Sequence, residues 1–342
     1  MVALNVLKSV SDEMAVLDRK AAQLMRASKA PATWKKYESE FNKFQAWMTQ
    51  KGFKTMPASV TSVLRYLTHR SDGRLSSSLA VASAAISAFH KLNGFASPCS
   101  DPRVAALLEG ARRTFSKPVA QKKPLTKEIL RSMWIAEIGD PTSGSLWKWR
   151  NCWLLNMMFR TCSRFADVCK LTKKNFSFQE GGMEIFFQFR KNDQRGVGHT
   201  IKVLSSDDDW CFVKLTRRYF AMLREASKKK SNTVVPKIIR KKSGDHAVFP
   251  ATVATDNSCR LAFNDALKKL GINSAPFGLH SAKIGGVVHL RNSGISWRSI
   301  NDYVGWSKDS AMPERYAKAA CNKTDKMDNI LSLYSYLVSW GL

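Results

Sequence analysis

From Thr33 onward, apolar side chains recur along "TWKKYESEFNKFQAWM" at Trp34, Tyr37, Phe41, Phe44 and Met48, at spacings of three, four, three and four. That period puts all five on one face of an α-helix, with Thr33 as its candidate N-cap. "PASVTSVLRYLTHR" and "LSSSLAVASAAISAFHKLNG" predict further helices, the second ending at Gly94. After "DPRVAALLEGARRTF" the chain passes into "SKPVAQKKPLT", whose two prolines and three lysines predict an exposed basic linker. The first block therefore reads as a small all-helical domain, residues 1–115, with the linker at 116–125.

The block from 126 to 342 mixes periods. "LTKEILRSMWIAEI" and "WRNCWLLNMMFRTCSRFADVCKL" read as helices, whereas "MEIFFQFR" alternates on a period of two. With "KNDQRGVG" as the turn and "HTIKVL" as the return strand, it predicts a hairpin. The remainder reads as helical, to a last stripe in "DKMDNILSLYSYLVSWGL". The fold class expected is thus an N-terminal all-α domain followed by a C-terminal α+β domain, mostly helical with a small antiparallel sheet.

Charge changes the picture most. The 342-residue chain carries 55 basic and 27 acidic residues, a formal +28. Of these, 20 basic and 8 acidic residues precede position 124, and 35 and 19 follow it, so both blocks are basic. A short polybasic tail cannot give that distribution; a protein gripping a polyanion from two sides would. Nucleic acid is the expected partner, with a solvated basic surface or a membrane surface as alternatives. No apolar run reaches the ~20 residues of a membrane span, and the amino terminus lacks a signal pattern. A soluble, unsecreted protein is expected, acting within the cell. The seven cysteines are scattered without CxxC or Cys/His zinc spacing, which predicts free thiols and no metal site.

Four stretches stand in a telling order: "FRTCSRFADVCKL", "RKNDQRGVGH", "GLHSAKIGGVVHLRNSG" and "VGWSKDSAMPERYAK". In order and approximate spacing they resemble the tyrosine recombinases, the integrase family, from about Thr33 to the end of the chain. The stretch around His280 looks closer to recombinases of eukaryotic mobile elements or DNA viruses than to typical bacterial ones. The resemblance implies a helical core-binding domain and a catalytic domain with a C-terminal exchange helix, together clamping duplex DNA. It also implies a dimer on each site and a tetramer in the synapse, with the nucleus as the setting in a eukaryotic host.

The chemistry such a protein performs can be derived on its own terms. Cutting a strand without losing bond energy needs a nucleophile that forms a phosphoester and later leaves it. Fixed cations must surround the phosphate as charge builds on its oxygens, and an acid must protonate the departing 5′ oxygen. No metal or nucleotide cofactor is needed. By resemblance Tyr316 is the nucleophile, with Tyr303, Tyr334 and Tyr336 fitting less well. Arg164 is the first phosphate clamp and Asp167 its supporting carboxylate. Lys191 is the general acid, with Lys202 and Arg195 as rivals. Trp306 fills a position held by histidine or tryptophan, and His280 is a proton acceptor or orienting partner.

One residue departs from the pattern. Lys283 stands where the family has its second arginine, keeping the charge but losing the two-pronged geometry. Arg291 lies eight residues further, about 12 Å along a helix, too far to substitute. The substitution predicts a weakened enzyme. The other readings are a DNA-binding protein that has lost the chemistry, a telomere resolvase, or a type IB topoisomerase-like enzyme.

Overall fold

The computed structural model describes residues 12–307 apart from 72–75, 116–120, 141–143, 192, 194, 228–232 and 241–245, together with 310, 312, 313 and 316. The expected exchange helix and the first half of the expected linker lie outside the described residues. The chain divides into two units, residues 1–119 and 120–342.

The first unit contains α1 (Asp12–Ala27), α2 (Pro31–Gln50), α3 (Val60–Ser71), α4 (Ser76–Leu92) and α5 (Pro102–Phe115). Phe41, Phe44 and Met48 bury the stripe read from the sequence against Tyr66, Leu67 and Ile86. Helix α2 begins two residues earlier than Thr33: Ala30 is the N-cap and Pro31 the first helical residue, where proline's missing N–H costs nothing. Helix α4 ends at Leu92, and Gly94 carries the positive φ of 77° that turns the chain.

The second unit is built around α7 (Leu146–Arg160), which is buried on nearly every face. A helix apolar all round belongs in the middle of a domain. Trp153 stacks on Tyr219 with centroids 4.9 Å apart and donates its indole N–H to the Thr216 hydroxyl at 3.0 Å. Around it lie α6 (Lys127–Glu137), α9 (Phe212–Ala226), α10 (Asp256–Lys269), α11 (His280–Asn292) and α12 (Trp297–Val304). The short α8 (Phe165–Val168) follows α7 directly. Arg150, buried inside α7, is satisfied by the Asn151 side chain and the Pro236 carbonyl.

The expected hairpin is present as β2 (Gly182–Phe187) and β3 (His199–Leu204), antiparallel, with Ile185 opposite Ile201. Asp193 organises its turn, accepting from the amides of Gly196, Val197 and Gly198. A third strand, β1 (Phe176–Gln179), pairs with β2. A separate two-stranded sheet joins β4 (Pro236–Arg240) to β5 (His246–Val253), correcting the expectation that the chain is helical after the first hairpin. The periodicity was hidden because β4 is only five residues long and β5 is interrupted by Pro250.

The glycine pair in "KIGGVV" fixes where α11 can lie. A Cβ at Gly285 would sit 1.8 Å from the Leu125 carbonyl oxygen, and one at Gly286 would sit 1.9 Å from that of Phe159. Only glycine lets α11 approach the end of α7 and the segment entering α6 this closely. That contact brings the start of α11 beside the turn that follows α7. No helix among the described residues is long and apolar enough to cross a membrane.

Candidate active site

Three segments meet beside the N-terminus of α11. The first is the turn after α7. Cys162 takes a left-handed φ of 49°, reversing the chain so that Arg164 caps α8. Asp167, one turn into α8 and 2% exposed, accepts from the Arg164 amide at 3.3 Å and lies 3.8 Å from its guanidinium. The second segment is the hairpin turn, whose Lys191 amide donates to the other Asp167 oxygen at 3.2 Å. One buried carboxylate thus ties the arginine turn to the lysine turn.

His280 opens α11 and Lys283 follows one turn later. Lys283 is fully buried, and among the described residues its Nζ has no hydrogen-bond partner. Burial, with Arg164 and Arg190 nearby, pushes this amine down to about 7. His280 keeps an exposed edge, yet desolvation on its inner side and the charges of Lys283, Arg164 and Lys191 push its imidazole down to about 4. It is therefore neutral at physiological pH, a proton acceptor rather than a cation.

The third segment follows α12. Gly305 ends that helix in the left-handed region, φ 68°, and the Trp306 amide returns to the Asn301 carbonyl at 2.9 Å. Trp306 and Tyr316 are both buried, packing with Cys162, Ile284, Val287, Ile300 and Val304. Their rings stack with centroids 5.3 Å apart, and the Lys283 ammonium position lies 5.3 Å from the Trp306 ring centre. Among the described residues neither the Trp306 indole nitrogen nor the Tyr316 hydroxyl has a hydrogen-bond partner. Burial pushes the Tyr316 phenol up to about 12, against the opposing pull of Arg164.

All seven residues singled out in the sequence, Arg164, Asp167, Lys191, His280, Lys283, Trp306 and Tyr316, fall in this one region. The rivals do not. Lys202 pairs with Glu184 at 2.9 Å, and the Tyr303 hydroxyl donates to the Arg160 carbonyl at 2.8 Å. Arg195 is exposed in the hairpin turn, and Arg291 bonds the Ile295 carbonyl beside Trp297. Tyr334 and Tyr336 lie outside the described residues.

One residue of the site escaped the sequence reading. Arg190, next to Lys191, is buried, donating to the Val304 carbonyl at 2.6 Å and to the Ser163 hydroxyl at 3.0 Å. It joins the residue before Arg164 to the end of α12, two positions before Trp306. Its burial depresses its pKa, with Asp167 opposing that shift. Adjacent to a second cation, nothing in its own sequence context separates it from a solvated hairpin residue.

The arrangement can hold a phosphate among Arg164, Lys191 and Lys283 and present it to a tyrosine hydroxyl. Among the described residues no group of three His, Cys, Asp or Glu side chains could hold a metal ion.

Comparison with known proteins gives the family. A xerD-homologue integrase/recombinase from Selenomonas ruminantium is 25% identical over 207 residues, 59% of this chain and 60% of that relative, so the aligned part spans less than two thirds of it. A lambda integrase dimer bound to a COC′ core site superposes with a TM-score of 0.52 at 14% identity, covering 91% of this chain and 95% of that one. A XerH site-specific recombinase bound to difH substrate gives 0.51 at 12% identity, covering 85% and 76%. These two likenesses show a shared fold. Residues 135–323, more than half of the chain, match the phage integrase family. The chain belongs to that family, the tyrosine recombinases.

Proposed function

We propose that this protein is a site-specific DNA recombinase that cuts and rejoins duplex DNA through a 3′-phosphotyrosine link. The Tyr316 oxygen attacks the backbone phosphorus, and His280 takes the phenol proton as the bond forms. The P–O5′ bond breaks, and Lys191 gives a proton to the departing oxygen, leaving a free 5′ hydroxyl. Attack by a 5′ hydroxyl on the phosphotyrosine reverses these steps and restores the phosphodiester, so no bond energy is lost.

Arg164 and Lys283 balance the charge on the non-bridging oxygens, Asp167 orients Arg164, and the Trp306 N–H donates to the phosphate. Two protomers hold each site and two such pairs exchange strands. The first unit grips the core of the site, the second carries the chemistry, and residues 325–342 join protomers. The excess of basic residues in both halves of the chain supports DNA contact by each.

The observation that carries this reading is the meeting of a tyrosine hydroxyl, an indole N–H and a lysine amine, all buried and without hydrogen-bond partners among the described residues. Three unsatisfied polar groups buried around one ring stack carry a standing cost unless a polar ligand completes them. A nicked duplex that loses its 5′ fragment on cleavage tests it. The wild-type chain becomes covalently attached to DNA and Tyr316→Phe does not; hairpin or relaxed-circle products would assign the chemistry to a resolvase or topoisomerase.

A second reading, a DNA binder with crippled chemistry, is favoured by Lys283. An amine that titrates near 7 supplies less charge than an arginine, and losing one aimed donor lowers the rate about a hundred- to a thousandfold. Tight DNA binding with no covalent capture, restored by Lys283→Arg, distinguishes it.

A further inference from the structure

A second cavity of about 350 Å³ opens between α6, α7, β3 and α11. That volume falls in the range of small-ligand sites, about 300–1,000 Å³. None of the seven residues assigned to strand cleavage lines it; it meets α11 at Gly286 and His289, beyond Lys283. Lys127 and Arg131, one turn apart on α6, bring positive charge from one side, and Arg160 at the end of α7 brings it from another. Among the described residues none of these three forms an ion pair, whereas Lys202, on the β3 wall, is engaged by Glu184. Asp208 is the carboxylate on the lining, so the cavity carries net positive charge.

Charge alone would suit any stretch of DNA backbone, but this cavity also has a flat apolar wall. Trp210 and Phe159 line it; the Trp134 ring meets Trp210 edge-on with centroids 5.4 Å apart, and the Arg131 guanidinium lies over the Trp210 ring, 5.9 Å from its centre, on the side from which a base would displace it towards the phosphate. An aromatic face beside unpaired cations matches a ligand with a planar ring and an anionic end. Stacking of a base on such a face tightens binding about ten- to a hundredfold. Asp208, whose Oδ1 accepts from the Ser206 hydroxyl and the Trp210 amide, offers its other oxygen to an exocyclic amine, which a bare phosphate does not have.

We propose that this cavity binds a nucleoside phosphate, with the base against Trp210 and the phosphate held by Lys127, Arg131 and Arg160. The ligand is either a free mononucleotide or an unstacked nucleotide of bound DNA. Both present the same chemistry. The proposal goes beyond the recombinase reading, and equilibrium binding tests it without any strand cleavage.

The experiment is calorimetric titration of the full chain with AMP, adenosine and inorganic phosphate. AMP is expected to bind saturably and more tightly than either fragment. Arg131→Gln and Trp210→Leu are each expected to weaken it about ten- to a hundredfold, with unchanged unfolding midpoints. Lys127→Gln, on the exposed first turn of α6, serves where a variant fails to fold. Displacement of AMP by a duplex with an unpaired nucleotide, but not by a blunt one, assigns the ligand to DNA; equal behaviour of the two duplexes assigns it to the free nucleotide. Absence of AMP binding, or binding that the three variants leave intact, overturns the proposal.

Discussion

Trp306 stacks on Tyr316 with their planes 13° from parallel, so the proposed nucleophile is seated by the indole that also faces Lys283. The two roles of the indole, seat and hydrogen-bond donor, can be separated. Trp306→Phe keeps a ring under Tyr316 and removes the N–H, and should lower single-turnover cleavage about a hundredfold with little change in DNA affinity. Trp306→Ala should cost more, because it also unseats the tyrosine. Equal rates for the two variants would remove the seating role.

The pH profile of kcat/KM should be a bell, because it reports the essential acid and base of the free enzyme. His280 must be neutral to take the phenol proton, so the acid limb should lie near its value of about 4. Lys283 must be charged to hold the phosphate, so activity should decline as pH rises through about 7. Lys283→Arg should abolish the alkaline limb and His280→Gln the acid limb. A Tyr316 phenol titrating alone at about 12 would instead give activity rising with pH until Lys283 loses its proton, then a plateau.

Lys283 also makes a prediction about stability. Its amine gives up its proton near 7 in the folded protein but near the ordinary 10.5 in the unfolded chain. Between those values the unfolded state binds more protons, so stability should rise with pH across that window. The benefit is complete above 10.5 and lost as pH falls through about 7, a span on the order of 5 kcal/mol. Lys283→Met should flatten this dependence, measured as denaturant unfolding free energy against pH. Unchanged slope in the variant would show that the amine is solvated.

Arg190 should behave as a positioning residue. Arg190→Met removes two charged hydrogen bonds, to Ser163 and Val304, and should destabilise the fold by about 3 kcal/mol. It should also loosen both the Arg164 turn and the end of α12, lowering kcat with little change in KM. Arg190→Lys reaches one partner at a time and should recover part of each effect; loss of stability alone, with kcat intact, would confine Arg190 to the fold.

Much of this was legible in the chain. The stripe from Trp34 to Met48 announces a buried helix face because its period repeats over four turns, and the alternation from Met183 announces a strand. The site residues come from the resemblance of four ordered stretches to the tyrosine recombinases; by their own context Arg164, Lys191 and Trp306 read no differently from a surface ion pair, a hairpin lysine and a core tryptophan. Short elements without a sustained period were not legible; β4 and β5 show this. Nor was Arg190, whose two hydrogen-bond partners lie 27 and 114 residues away in sequence. Nor could the sequence tell that the Lys283 amine is fully buried, since burial depends on how closely Gly285 and Gly286 let α11 approach its neighbours.

The recombinase mechanism proposed for this chain stands or falls with Tyr316 as the covalent link to DNA. Trapping the chain on a nicked duplex, digesting with protease and nuclease, and sequencing the modified peptide by mass spectrometry tests it directly. A 3′-linked nucleotide is expected on Tyr316 and on no other residue. Attachment at Tyr303, Tyr334 or Tyr336, or at a serine, would contradict it.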